Sequence, residues 1–75
     1  MENLYQVKRI EFFQRNLSIL TQSNNGPCPL LAIANTLIIK GLLSVHSDYS
    51  AIDHNELVGW VAEIMLEQLK FVLFN

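Results

Sequence analysis

Hydrophobic and polar positions alternate near the start of the chain, with Tyr5 and Val7 set against Gln6 and Lys8, and β-forming types recur up to Phe12. That period of two predicts a strand over residues 4–12, and a second β-like run at 17–21 predicts another. Gln14, Arg15 and Asn16 form the polar break between them, so a hairpin or two neighbouring strands is expected. Ser23, Asn24, Asn25, Gly26 and Pro27 are five turn-formers in succession and force a tight, irregular loop. A helix follows. Pro29 suits a first helical position, where its missing N–H costs nothing, and Leu30, Leu31, Ile33, Leu37, Ile38 and Ile39 carry the helix to Lys40 and Gly41. Apolar side chains fall on nearly every face, which predicts a central helix buried on all sides. Residues 44–52 read as a polar loop. Asp53 and Glu56 then have capping-box spacing, with Asp in place of the usual Ser or Thr. Beyond them Leu57, Val61, Ile64, Met65 and Leu69 follow helical spacing opposite Glu56, Gly59, Glu63, Glu67 and Lys70, which predicts a second, amphipathic helix.

Composition narrows the reading. At 75 residues the chain is one domain at most, and a core of that size leaves only a few kcal/mol of net stability. Hydrophobic residues make up 51% and charged ones 16%, a balance closer to the interior of a larger fold than to a free-standing small domain. The apolar series Leu66, Leu69, Phe71, Val72, Leu73, Phe74 runs almost to the last residue and calls for a partner surface. The formal net charge is -2 and the five basic residues are scattered, so no electrostatic footprint for nucleic acid is present. The first residues lack the basic and apolar regions of a signal peptide. The longest apolar stretch, 29–39, is interrupted by Asn35 and Thr36 and falls short of the roughly 20 residues of a membrane span. One cysteine permits no internal disulfide, and without a CxxC pair neither a structural zinc nor another cofactor is expected. A soluble protein of a reducing compartment is expected, cytoplasmic, with the nucleus also open.

The candidate chemistry centres on Cys28. Pro29 pushes the preceding residue into an extended conformation, the geometry of a helix N-cap. There the unpaired N–H groups and the positive end of the helix dipole favour thiolate, the nucleophilic form. Pro27 stiffens the approach, and Gly26 lets the backbone turn closely and leaves room for substrate. Gln22, six positions earlier, can supply a side-chain amide to an oxyanion beside the backbone N–H of Cys28. That order of Gln, Gly-containing loop and Cys-headed helix is similar to the arrangement in papain-like peptidases. His46 and His54 lie beyond the far end of a helix of about 12 residues, roughly 18 Å long. Unless the loop folds back along the whole helix, neither reaches the thiol at the roughly 2.6–3.2 Å a general base requires, and the base is expected to be missing.

Plainer roles stand beside these. A lone cysteine among apolar residues is most often an inert buried side chain. Asn35 reads as a satisfied core amide rather than a catalytic group. His46 and His54 read as surface-loop residues, His54 within the cap of the second helix, and Trp60 and Met65 as packing. Tyr5 is expected on a strand facing the core, with the Cys28 loop as one place it can reach. A redox-sensing thiol is a further reading of Cys28, but it leaves Gln22 and the loop without a role.

The stretch TQSNNGPCPLLAIANTLII closely resembles the catalytic segment of the MINDY family of deubiquitinases, also called FAM63. The likeness extends upstream through YQVKRI and downstream through AIDHNELVGWVAEIMLE, to about Leu66. What the resemblance implies is an α+β, papain-like cysteine peptidase several times longer than this chain, of which residues 1–75 are an N-terminal portion. Its implied reaction is hydrolysis of isopeptide bonds in lysine-forty-eight-linked polyubiquitin. By motif match Cys28 falls on the nucleophile and Gln22 on the oxyanion-hole glutamine, while the family's histidine lies in a downstream segment absent here and matches neither His46 nor His54. The tail KFVLFN departs from the family pattern, as a truncated or alternatively spliced chain would. Polyubiquitin and the remainder of the catalytic domain are the implied partners. The alternative is a non-catalytic ubiquitin-interacting or regulatory fragment.

Overall fold

The computed structural model describes residues 4–22 and 28–74, and the loop at 23–27, including Gly26 and Pro27, lies outside them. Three strands and two helices follow in the order β1 (Leu4–Phe12), β2 (Arg15–Thr21), α1 (Pro29–Ile39), β3 (Ala51–Asp53) and α2 (His54–Phe74). The class is α+β, as expected. The sheet has the order β2-β1-β3 and is antiparallel throughout.

β1 and β2 form a hairpin whose last pair is Phe12 with Arg15, so only Phe13 and Gln14 make the turn. Both have positive φ, 50° and 64°, the two-residue turn whose twist matches that of the flanking strands. Arg15 and Asn16 thus belong to β2, not to the break expected at 14–16. Neither Phe13 nor Gln14 is a usual left-handed residue, so local turn chemistry did not mark the corner.

α1 lies on β2 and also meets α2. Ala34, Leu37 and Ile38 are buried, but Ile33 and Ile39 are exposed. The expectation of a helix buried on every face is therefore corrected: among the described residues only one face of α1 has neighbours. Its end is built by the C-terminal signal the sequence carried. Gly41, at φ 82°, donates its N–H to the Ile38 carbonyl at 3.1 Å, and Leu42 donates to Leu37 at 2.9 Å, the paired bonds of a Schellman motif.

The segment after α1 is more ordered than a polar loop. Leu43 and Val45 are buried, and residues 51–53 form β3, with Ile52 fully buried opposite Tyr5. Three residues are too few to display alternation, which is why the pattern did not show this strand. Asp53 caps α2 as expected, its Oδ2 accepting the Asn55 N–H at 2.9 Å. The reciprocal half of the capping box is replaced: Glu56 accepts the Tyr49 hydroxyl at 3.1 Å. Tyr49 packs edge-on against Trp60, with ring centroids 5.4 Å apart, which bears out Trp60 as a packing residue. Along α2 only Leu57 and Val61 are buried, with Trp60 and Ile64 partly so. Met65 and Leu69, expected on the packed face, are exposed, as are Leu66 and Phe71 to Phe74. The helix runs for 21 residues, about 30 Å at its normal rise, and outreaches the small sheet that covers its first turns.

Asn35 ties α1 to the sheet. Its Oδ1 accepts the Leu20 N–H at 2.8 Å and its Nδ2 donates to the Leu20 carbonyl at 2.9 Å. β2 is an edge strand, and this amide covers its open edge where Leu20 is buried. Leaving buried backbone groups without partners costs about 1–3 kcal/mol. Asn35→Ala is therefore expected to destabilise the chain by about 2 kcal/mol, read as a lower urea midpoint with an unchanged slope. An unaltered midpoint would show that α1 is held by its apolar face alone.

Candidate active site

Cys28 is the N-cap of α1. Its φ of -137° and ψ of 96° are extended, as the following proline requires. Its carbonyl accepts the Ala32 N–H at 3.1 Å, the first bond of the helix. The Cys28 side chain makes no cap hydrogen bond and the first turn carries no acidic residue, so among the described residues the positive end of the helix faces the thiol. Cys28 is half-buried and forms no disulfide. Gln22 directly follows β2 and is also half-buried.

Tyr5 meets the sulfur. Its hydroxyl lies 3.7 Å from Cys28 Sγ and 2.8 Å from His54 Nδ1. Its ring is buried in the core, and the pairing of Tyr5 with Ile52 fixes which way it points. Because α2 starts immediately after β3, the same pairing brings His54 alongside, with the two ring centroids 6.0 Å apart. The chain does fold back along α1, by a strand the sequence pattern did not reveal. His54 is thus no surface-loop residue: it is half-buried and one hydroxyl away from the thiol. His46 keeps the expected surface role. It is exposed, its Nδ1 accepts the Asp48 N–H at 3.1 Å, and the Asp48 carboxylate stands 3.5 Å away.

Burial, and after it the neighbouring Cys28 sulfur, hold the Tyr5 phenol above its ordinary value of 10.0. Tyr5 is therefore a neutral hydroxyl under ordinary conditions, able to donate one hydrogen bond and accept others. Sequence reasoning placed its ring in the core and within reach of Cys28, as observed, but the contact of its oxygen with His54 appears only through the cross-strand register. A cleft lined by Arg9, Glu11, Asn16, Ser18 and Ser47 opens elsewhere on the sheet and includes none of Cys28, Tyr5 or His54. Among the described residues, no three potential metal ligands converge, and no helix is long and apolar enough to cross a membrane.

The raised phenol gives a signed expectation. Unfolded chain releases this proton near pH 10.0 and folded chain only at higher pH. The stability linked to the group is therefore complete below that pH and is lost as pH rises through the folded value. Urea unfolding on either side of pH 10.0 should show a shallower alkaline loss in Tyr5→Phe than in the parent. Tyr49, raised by its bond to Glu56, contributes to the loss that remains. Equal alkaline slopes would contradict the placement of Tyr5.

Comparison with known proteins gives this site its context. The profile of the MINDY deubiquitinases matches residues 3–72. The mouse protein called ubiquitin carboxyl-terminal hydrolase MINDY-2 is 35% identical over 66 residues, covering 88% of this chain and 11% of the relative. Zebrafish and human ubiquitin carboxyl-terminal hydrolase MINDY-1 are 33% and 36% identical, over 88% and 85% of this chain and 13% and 14% of their own lengths. The chain thus spans between a tenth and a seventh of these relatives. With most of its length matched by the profile, it belongs to the MINDY deubiquitinase family.

Proposed function

We propose that residues 1–75 are an N-terminal portion of a thiol-dependent deubiquitinase domain with a papain-like fold, in which Cys28 is the nucleophile. The observation that carries this reading is the placement of Cys28 as the N-cap residue of α1, with no acidic residue in the first turn, in a chain of this family. The thiolate attacks the isopeptide carbonyl of ubiquitin, and lysine-forty-eight-linked polyubiquitin is the substrate proposed from the resemblance. The resulting oxyanion is held by the Gln22 amide and the backbone N–H of Cys28. Protonation of the leaving lysine amine and activation of the hydrolytic water fall to the remainder of the domain. A reducing compartment, cytoplasmic or nuclear, suits a free reactive thiol.

The exposed apolar end of α2 favours a second reading, a regulatory fragment that binds ubiquitin or a partner without cleaving. A chimaera of mouse MINDY-2 carrying residues 3–72 in place of its matching segment separates the two. Ubiquitin with a C-terminal electrophile should label the chimaera at Cys28 and leave Cys28→Ala unlabelled, and Gln22→Ala should slow turnover roughly a hundred- to a thousand-fold. Ubiquitin binding without labelling, or labelling that survives Cys28→Ala, would overturn the catalytic reading.

A further inference from the structure

α2 carries two apolar lines, and the fold covers one of them. Leu57, Val61 and Ile64, with Trp60 beside them, pack against the core. Val58, Ala62, Met65, Leu69 and Val72 recur at intervals of four, three, four and three residues, and all five are exposed. At 3.6 residues per turn this second line lies roughly 100° around the helix from the packed one, so no rotation of α2 lays both on the same sheet. Its spacing is that of a coiled-coil seam. We propose that this seam is an interface between two copies of the chain, packed antiparallel. The inference is independent of any role for Cys28.

The seam is complementary to itself. In an antiparallel pair centred between Met65 and Leu69, each of these faces the other across the interface, and Ala62 faces Val72 of the second copy. Leu66 then meets its own equivalent, and Gly59 stands opposite Leu73. A Cβ added at Gly59 would meet nothing within 4 Å, so Gly59 leaves the space that a leucine of the second copy fills. Small residues in the first half of the seam thus oppose large ones in the second. A parallel pair would set Ala62 against Ala62 and Val72 against Val72, and would crowd the two sheets together, because each sheet lies along the first turns of α2. Lys70 pairs with Glu67 of its own helix at 3.8 Å, and neither belongs to the seam, so the pairing buries no charge.

The area suits a reversible dimer. Met65, Leu66, Leu69, Val72 and Leu73 are 53%, 54%, 52%, 73% and 64% exposed. With Val58 and Ala62 they offer on the order of 600 Å² from each copy, against the roughly 800 Å² per partner of a standard stable interface. A patch of that size is at the upper end of what a monomer leaves uncovered. The pair is therefore expected to form, and to dissociate on dilution.

Sedimentation equilibrium of the 75-residue chain over a wide range of concentration tests this. The parent should pass reversibly from the mass of one chain to the mass of two, and no further, since a two-fold contact closes at two. Leu69 is exposed in the single chain, so Leu69→Glu should keep the parent's circular dichroism while raising the dissociation constant about tenfold or more. Gly59→Leu fills the space opposite Leu73 and should weaken the pair likewise, whereas Gly59→Leu combined with Leu73→Ala should recover part of the loss. Failure to recover would overturn the antiparallel register. A single mass at every concentration would overturn the proposal, as would growth beyond two copies or a dimer indifferent to Leu69→Glu. So would a monomer that binds ubiquitin and loses that binding in Leu69→Glu, which would make ubiquitin the occupant of this face.

Discussion

The hydroxyl of Tyr5 is the contact on which the organisation of this small fold converges. The ring belongs to the core, opposite Ile52 in the sheet, and the oxygen emerges between the head of α1 and the start of α2. A buried phenol needs a hydrogen-bond partner, and this one has two, both chemically reactive. The requirement therefore constrains three elements together. A shift of one residue in the pairing of β1 with β3 would turn Tyr5 to the opposite face and separate Cys28 from His54.

The other end of the constraint is Asn35. By binding both backbone groups of Leu20 it fixes α1 against the edge of the sheet two turns after Cys28, so the position of the thiol is set from inside the helix as well as from its cap. Leu20, Ile52 and Leu57 are the largest fully buried side chains, one each from β2, β3 and α2. They form the apolar block on which Tyr5 lies. The rest of α2 extends past this block, and its Leu66, Leu69 and Phe71 are exposed.

Much of this arrangement was visible in the chain itself, for reasons that are local. Pro29 after Cys28 dictates both the extended backbone of the cap and the start of the helix, and Gly41 dictates its end. Alternation placed Tyr5 in the core, and Asp53 announced α2. What escaped the sequence was non-local or too short to be periodic. The corner at Phe13 and Gln14 uses residues without turn preference, because register rather than local propensity selects it. β3 has three residues, and without it His54 reads as a surface residue far from the thiol. The burial of α1 was overestimated because apolarity all round a helix shows what could be covered, not what covers it.

The central claim is that Tyr5 joins Cys28 to His54, and the response of the His54 Nδ1 signal to removal of the Tyr5 hydroxyl tests it most directly. A long-range proton–nitrogen NMR correlation spectrum distinguishes a ring nitrogen that carries hydrogen from one that accepts a hydrogen bond. The account predicts an Nδ1 engaged by the Tyr5 hydroxyl, whose signal moves in Tyr5→Phe. An Nδ1 signal indifferent to Tyr5→Phe would contradict it.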